Sequence, residues 1–581
     1  MKKTLLTIMA ALMLSIPLFA VMEIVVEPKA ENFIYDYKLT QADIKADKPT
    51  SLAGVLTSIS DINVSTKGFA SVLNDVSING GSFEETAILF NGIKVNDLQT
   101  GHFNLDIPIP SISIGSITVV KDANSSIGSG GFTGLIDIQT PEYDKDTYKA
   151  QAEYGTYNTQ YYGLSYMRKL AGLIVDFSAE RGSSDGYYKD TDYYKNTALL
   201  NLDFDNAYAL SLGYGEKAYG AYDFYTPNLN LDSWEYLGSK FISFTALKNQ
   251  PLSLTAYYKS HYDWFILKRD DPSYYANRHN SAMYGADLNY EWVINDTNIF
   301  KAKYDLQREE IQSRNLGNHY RNKNELLLNG YFTIAENLTV NLNAAADKYD
   351  IYSAYDFMPS AAAVYKVLPY LKVNAGYSTS VRYPDFTELY YSDPYDMGNK
   401  DLKPEKCAEY NGGVDVDLKP VSIGLSAFYR MSTDLIDWGK DNITDTVWQI
   451  KNIGKVNTAG FTASTGLNLD FAQLAVSYTY LDSYRSENFI SKYGLAYLRN
   501  KITASAGFEL LTVKVKADYT YKNYINRSAG FNGLDITLSR KIVDGVELSL
   551  KAENALNWYF EETPGIPAVG RMLSARVEFE Y

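Results

Sequence analysis

The sequence predicts a closed transmembrane β-barrel of about 22 antiparallel strands, its lumen filled by an N-terminal mixed α/β plug domain. Three observations carry this reading: an export-type N-terminus, a heavy aromatic load, and alternation of period two running to the last residue. Met1-Lys2-Lys3 precedes an apolar run from Leu5 to Ala20, the layout of a secretory signal peptide over residues 1–20. The run is shorter than the ~20 apolar residues a spanning helix needs. The 581 residues include 51 Tyr, 25 Phe and 6 Trp, yet the mean hydropathy is −0.25. A barrel with aromatic girdles at two membrane interfaces accounts for both numbers, because only one face of each strand meets lipid.

Alternation dominates residues 146–581, the expected barrel. Leu511, Val513, Val515, Ala517, Tyr519 and Tyr521 alternate with Thr512, Lys514, Lys516, Asp518, Thr520 and Lys522. Val546 to Glu553 and Leu573 to Tyr581 repeat the pattern, and Tyr581 gives the chain an aromatic end. A soluble sandwich also alternates, but the segments are too numerous for one sandwich. In lipid every backbone group must be satisfied internally, so spanning strands have to close. Ala171-Gly172 and Asp544-Gly545 read as short periplasmic turns; 183–196, 219–238, 268–280, 310–319 and 383–405 read as external loops.

Residues 36–141 have a different texture. Short apolar strands (Thr86–Phe90, Ile117–Val120, Leu135–Ile138), a helix-like piece at Leu52–Ser58 and Gly-rich turns make a small α/β unit ending near Pro141. Its bulk suits the lumen of a barrel this wide.

The formal charge of −15, from 54 Lys and Arg against 69 Asp and Glu, excludes a nucleic-acid binder, which needs basic patches. Cys407 is the sole cysteine, so there is no intrachain disulfide and no multi-cysteine zinc site. His102, His261, His279 and His319 lack metal-ligand spacing, and the glycines at 128, 130, 131 and 134 fail the dinucleotide pattern. No enzyme and no cofactor are expected. The acidic stretch Asp185–Asp192 carries the oxygen donors calcium takes but not the EF-hand spacing, and calcium is not expected there.

The stretch Asp75–Asp97, then Gln99-Thr-Gly-His-Phe-Asn104, Ile117–Ser126 and Gly130–Ile138, resembles the plug signature of TonB-dependent outer-membrane receptors. In the barrel, Val381–Tyr391 with Gly398–Glu405, Tyr429–Trp438, Asn452–Gly460 and Asn554–Gly565 resemble the same family in family order. The likeness spans the mature chain and is nearest to the smaller cobalamin and ferric-siderophore receptors. Two positions depart from the pattern: Asn79 and Lys121 stand where the family usually has plug arginines that pair with wall carboxylates. Lysine keeps the charge without the bidentate fork.

The resemblance implies TonB-dependent active import of a scarce large solute, a ferric siderophore or cobalamin, across the outer membrane; the alternatives are a passive channel or porin and a surface-binding barrel. It implies TonB and its inner-membrane motor complex as partners, a monomer in outer-membrane lipid, and a TonB box at Glu23, Ile24, Val25, Val26 and Glu27 in an arm over 21–35. β-Branched residues in such an arm suit strand addition to a partner's sheet edge. Ligand should meet outward plug loops and inner faces of the external loops. Gln99, His102 and Phe103 are the plug candidates, and Asp223, Tyr225 and Trp264 the loop candidates. The aromatic ones serve equally well as an interface girdle.

Overall fold

The computed structural model describes residues 37–142, 145–226, 229–485, 490–492, 497–525 and 530–581; the signal peptide and the arm with Glu23–Glu27 lie outside them. The described residues form a closed antiparallel barrel of 22 long strands, with two further two-residue strands at Asp396–Met397 and Ile490–Ser491, around an internal domain. Closure is made by Met572–Glu580 pairing with Thr147–Gly155, Ser574 opposite Gly155 and Glu580 opposite Lys149.

Polarity is inverted relative to a soluble protein. Leu212, Leu254, Leu306, Leu326, Leu425 and Leu550 are exposed on the outside, whereas Lys217, Lys259, Lys501 and Lys522 are buried in the lumen. The strand Val513–Tyr524 shows why: Val513, Val515, Tyr519 and Tyr521 point to lipid, while Lys522 and Tyr524 on the opposite face reach inward, Lys522 to the Val64 carbonyl at 2.8 Å and Tyr524 to Asn63 at 3.3 Å. The pattern sets the strand, and lipid outside decides which face is apolar.

The internal domain is built on a five-stranded sheet in the order Tyr37–Thr40, Ser116–Val120, Gly134–Gln139, Thr86–Phe90, Ile93–Lys94. Thr86–Phe90 and Gly134–Gln139 run parallel, and Thr86–Phe90 is buried on both faces, which is why it reads as a continuous apolar run. Thr40 opens the helix Gln41–Asp47 through a capping box with Asp43; Lys48 closes it in the left-handed conformation. Ser51 caps Leu52–Leu56, whose Val55 and Leu56 join Ile62, Val76, Ile88, Ile117 and Ile136 in the core. A separate hairpin, Ile62–Lys67 with Leu73–Ile78, leans on the barrel wall.

Loop boundaries differ from the sequence reading. Most of residues 310–319 is strand, and the loop is only 314–316: Asn298–Ser313 and Gly317–Ala335 are joined by three residues, with Gly317 at φ +86°. The other expected loops shrink to 185–192, 221–226 with 229–233, 267–275 and 383–404. Above the membrane both strand faces are wet, so polar residues continue the ladder and polarity no longer marks its end. Leu511 leaves the alternating strand for the opposite reason. Leu511 and Thr512 form a two-residue turn at φ 50° and 75°, and such a hairpin needs positive φ at both positions whatever the side chain.

Candidate functional site: the seam between plug and barrel wall

The plug is held by a ring of wall lysines that donate to its backbone carbonyls. Lys259 Nζ reaches Val95 O at 2.5 Å and Asn96 O at 3.2 Å; Lys501 Nζ reaches Ile59 O and Ile62 O, both at 2.6 Å. Lys522 takes Val64 O and Glu562, Lys551 takes Lys48 O at 3.1 Å, and Lys217 takes Val72 O and Asp106. Each ammonium is charge-compensated or shared among carbonyl dipoles, and apolar contacts such as Phe90 on Phe241 at 5.2 Å lie between these polar ones.

The two unusual positions are resolved here. Asn79 sits at φ 47°, a left-handed conformation asparagine tolerates, and its carbonyl accepts from Arg430 Nη1 at 3.2 Å. Arg430 pairs with Glu409 at 2.7 Å, and Glu409 also accepts from Ala123 N at 3.1 Å. The guanidinium missing from the plug is therefore supplied by the wall. Lys121 bridges Asp61 of the plug, at 3.2 Å, to Ser426 of the wall, at 3.1 Å. Asp61 also accepts from Thr462 and, at 3.2 Å, from Thr479. Burial opposes ionisation of Asp61, but Lys121 and the hydroxyls of Thr462 and Ser60 hold its carboxyl below the ordinary range.

On the far side, Arg382 is clamped by Glu388, with two contacts at 2.9 Å, and by Glu405 at 2.6 and 2.8 Å. Plug residues Glu84 and Glu85 face this cluster. Burial, then the Glu388 charge, pushes Glu84 up; burial, then Glu405, pushes Glu85 up. More carboxylates meet here than Arg382 and Arg430 can neutralise.

The residues expected to touch ligand lie mostly within the same seam. Gln99 is buried and donates to Asp263 Oδ2 on the wall at 2.8 Å. His102 stacks on Phe83 at 4.1 Å, with its Nδ1 2.6 Å from Asp75. Phe103, 3% exposed, packs with Tyr193, Tyr219 and Phe224 and lies 5.0 Å from His261. His261 Nδ1 stands 3.1 Å from Asp97, at ion-pair distance but out of line for a hydrogen bond. Burial opposes the Asp97 charge, yet His261 and Lys259 hold its carboxyl well below the usual range.

Of the loop candidates, Tyr225 donates to Glu235 at 2.6 Å and meets Phe265 edge-on at 5.3 Å. Asp223 accepts from Leu231 N at 2.9 Å and lines an outer cavity of about 280 Å³ with Tyr187, Tyr188, Tyr222, Phe224 and Tyr559. Trp264 is the exception. It follows Asp263, which faces the plug, and so lies on the outer face, edge-on to Trp234 at 5.6 Å with Arg278 4.5 Å away. That is a girdle position, so Trp264 is not brought to the plug.

The sequence offers Thr66–Asn74 as a second outward plug segment without singling out Phe69, which caps the plug hairpin and packs on Tyr157, Tyr187 and Tyr193 at 5.2–6.3 Å. The sequence reading missed the lumenal lysines. Lysine in the middle of a lipid-crossing strand was the available signal for them. In the acidic stretch 185–192, Asp192 is taken by Arg269 at 2.5 and 3.0 Å. Among the described residues no group of three His, Cys, Asp or Glu is placed to hold a metal ion, and no helix is long and apolar enough to cross a membrane.

Comparison with known proteins agrees with this architecture. Residues 36–135 match the TonB-dependent receptor plug domain, and residues 127–555 match the TonB-dependent receptor-like β-barrel. The vitamin B12 transporter BtuB of Vibrio vulnificus is 23% identical over 73% of this chain and 71% of its own. Two solved structures share the fold. The siderophore receptor PirA of Acinetobacter baumannii has a TM-score of 0.75 at 12% identity, over 94% of this chain and 98% of its own. The copper transporter OprC has a TM-score of 0.77 at 16% identity, over 92% and 95%.

Proposed function

This chain belongs to the TonB-dependent receptor family of outer-membrane barrels, and from that premise we propose that it actively imports a scarce ferric siderophore or cobalamin. The observation that carries the reading is the plug's attachment. Lys217, Lys259, Lys501, Lys522 and Lys551 hold it through its backbone, so it blocks the lumen yet can be detached piecewise by a mechanical pull. A passive channel has no use for such a seam. The similar proteins named for siderophore and vitamin B12 support the cargo class.

The energy would come from the inner membrane through TonB, with Glu23–Glu27 as the docking strand. The segment Asp97–Asn104 and the outer cavity beside Asp223 would meet ligand, Gln99, His102 and Phe103 from the plug and Tyr225 from the wall responding as the plug shifts. The protein would act as a monomer.

The test uses a deletion strain complemented with the full chain and given single ferric siderophores or cobalamin at limiting concentration. Uptake should depend on the proton-motive force. Val25→Pro removes a backbone donor needed for strand addition and should abolish uptake while surface binding persists. Uptake that survives both Val25→Pro and a protonophore would identify a passive channel instead.

A further inference from the structure

The barrel wall is parted between two neighbouring strands. Asp356–Leu368 and Leu371–Arg382 pair from Leu368 opposite Leu371 as far as Ser360 opposite Ser378, and there the pairing stops. Both strands run on, each paired only with its other neighbour: Asp356–Pro359 with Ala344–Asp347, and Thr379–Arg382 with Glu405–Ala408. Pro359 is the cause. In register it falls opposite Thr379, where an antiparallel pair exchanges two backbone bonds, and proline has no N–H to give. The Thr379 hydroxyl donates to the Pro359 carbonyl instead, at 2.8 Å.

Continued by two residues, the same register sets Phe357 opposite Val381. An unbroken ladder would there give the Phe357 N–H to the Val381 carbonyl. The plug takes that carbonyl: Gly130 N donates to it at 2.8 Å. The Gly-rich plug loop is fixed on both sides of the parting. Ser125 Oγ donates to Ser360 Oγ at 2.8 Å, Ser129 N to Asp347 Oδ2 at 2.7 Å, and Asn329 Nδ2 to Ser126 O at 3.1 Å.

Val381 stands opposite the outward Lys406, yet it is 4% exposed and packs with Met358, Tyr349 and Tyr383. Bonding to Gly130 therefore goes with Val381 turned into the wall. Pairing with Phe357 needs it in line with the sheet and its side chain outward. The two arrangements exclude each other. The far end of the parting is spanned by side chains: Asp356 accepts from Tyr383 Oη at 2.7 Å and from Lys406 Nζ at 2.5 Å. Tyr383 opens the external loop 383–404, which lies on the plug through Phe386 N to Leu98 O at 3.0 Å and Thr387 N to Gln99 O at 3.2 Å.

We propose that the parting is a zip worked by the plug. When the loop 125–131 leaves the wall, Phe357 takes the Val381 carbonyl and the strands close to the ordinary spacing of about 4.8 Å. Closure runs as far as Asp356 and Arg382 and draws the external loops 350–355 and 383–404 together. The outer mouth narrows as the plug is displaced. This goes beyond the import reading, involves no cargo, and is tested without transport.

The full mature chain is placed in lipid nanodiscs and hydrogen exchange is read at single amides. Pro359→Ala restores the missing donor. The Phe357 amide should then exchange severalfold more slowly than in the native chain, and the Gly130 amide severalfold faster. Nitroxides on Ser353→Cys and Ser392→Cys, both at exposed loop positions, should come closer together in the same variant. Cys407 is buried against Phe132 and stays unlabelled.

Ser125→Ala with Asn329→Ala keeps Pro359 and loosens the loop from the plug side. Phe357 should slow there too, and this pair alone decides if Pro359→Ala does not fold. A Phe357 amide indifferent to either variant, Gly130 exchange that does not quicken, or an unchanged nitroxide distance would each overturn the proposal.

Discussion

Single side chains set the strength of the seam. Lys501 is 1% exposed and serves three plug carbonyls, those of Thr57, Ile59 and Ile62, so Lys501→Met removes their shared donor in a dry site. Stranding a buried polar group costs about 1–3 kcal/mol, a roughly tenfold to hundredfold shift in local opening. Hydrogen exchange at residues 59–64 should accelerate by that factor while the barrel's melting temperature stays put; unchanged exchange would mean that water replaces the ammonium. Phe69 makes the matching apolar case. Burying it among three tyrosine rings pins the plug's outward tip, and Phe69→Ala should cost about 3–5 kcal/mol of that local order. The readout is proteolysis within 66–74, expected to appear in the variant alone.

At the scale of elements, the turn Ser82–Glu85 is the plug's titratable contact. Glu84 accepts from Gly101 N at 2.8 Å and faces Glu388, Asp385 and Arg382; Glu85 accepts from Ser82 N at 2.8 Å and faces Glu405, Arg382 and Arg430. Both carboxyls are raised when docked, Glu85 to about 7 and Glu84 to about 8, against an ordinary 4.5. A group raised in the docked state binds more protons docked than free. Docking is therefore firmest below about 4.5 and weakens progressively as pH rises through about 8. Hydrogen exchange at 82–85 and 100–101, corrected for the intrinsic rate, should rise across that window. Glu84→Gln should flatten the profile; a native profile already flat would remove the proton from the seam.

For the whole molecule, the barrel and its contents are separable. The 22 long strands close through Met572–Glu580 and Thr147–Gly155 without any strand from the plug. Deleting residues 21–141 should leave a barrel that inserts and conducts in large, unselective steps. A deletion variant that inserts but conducts no better than the full chain would contradict a lumen filled by the plug alone.

How much of this was written in the sequence follows from what each pattern encodes. Alternation of period two, in a chain whose outside is lipid, determines a closed barrel, and the side-chain faces of Val513–Tyr524 could be read directly. Thr86–Phe90 and the capped Leu52–Leu56 were legible in the same way, because propensity and capping act within a few residues. The site was not legible to that degree. Trp264 and Asp263 differ by one position, and only the register of the strand against the plug decides which enters the lumen. Lys501 meets Ile59, and Arg430 meets Asn79, across several hundred residues of chain, and no local pattern links them. The sequence by itself determined a barrel, a plug and polar strand faces turned inward. Only the tertiary structure decided which lumenal charge holds which plug carbonyl, because those partners are chosen by barrel closure and not by their neighbours in the chain.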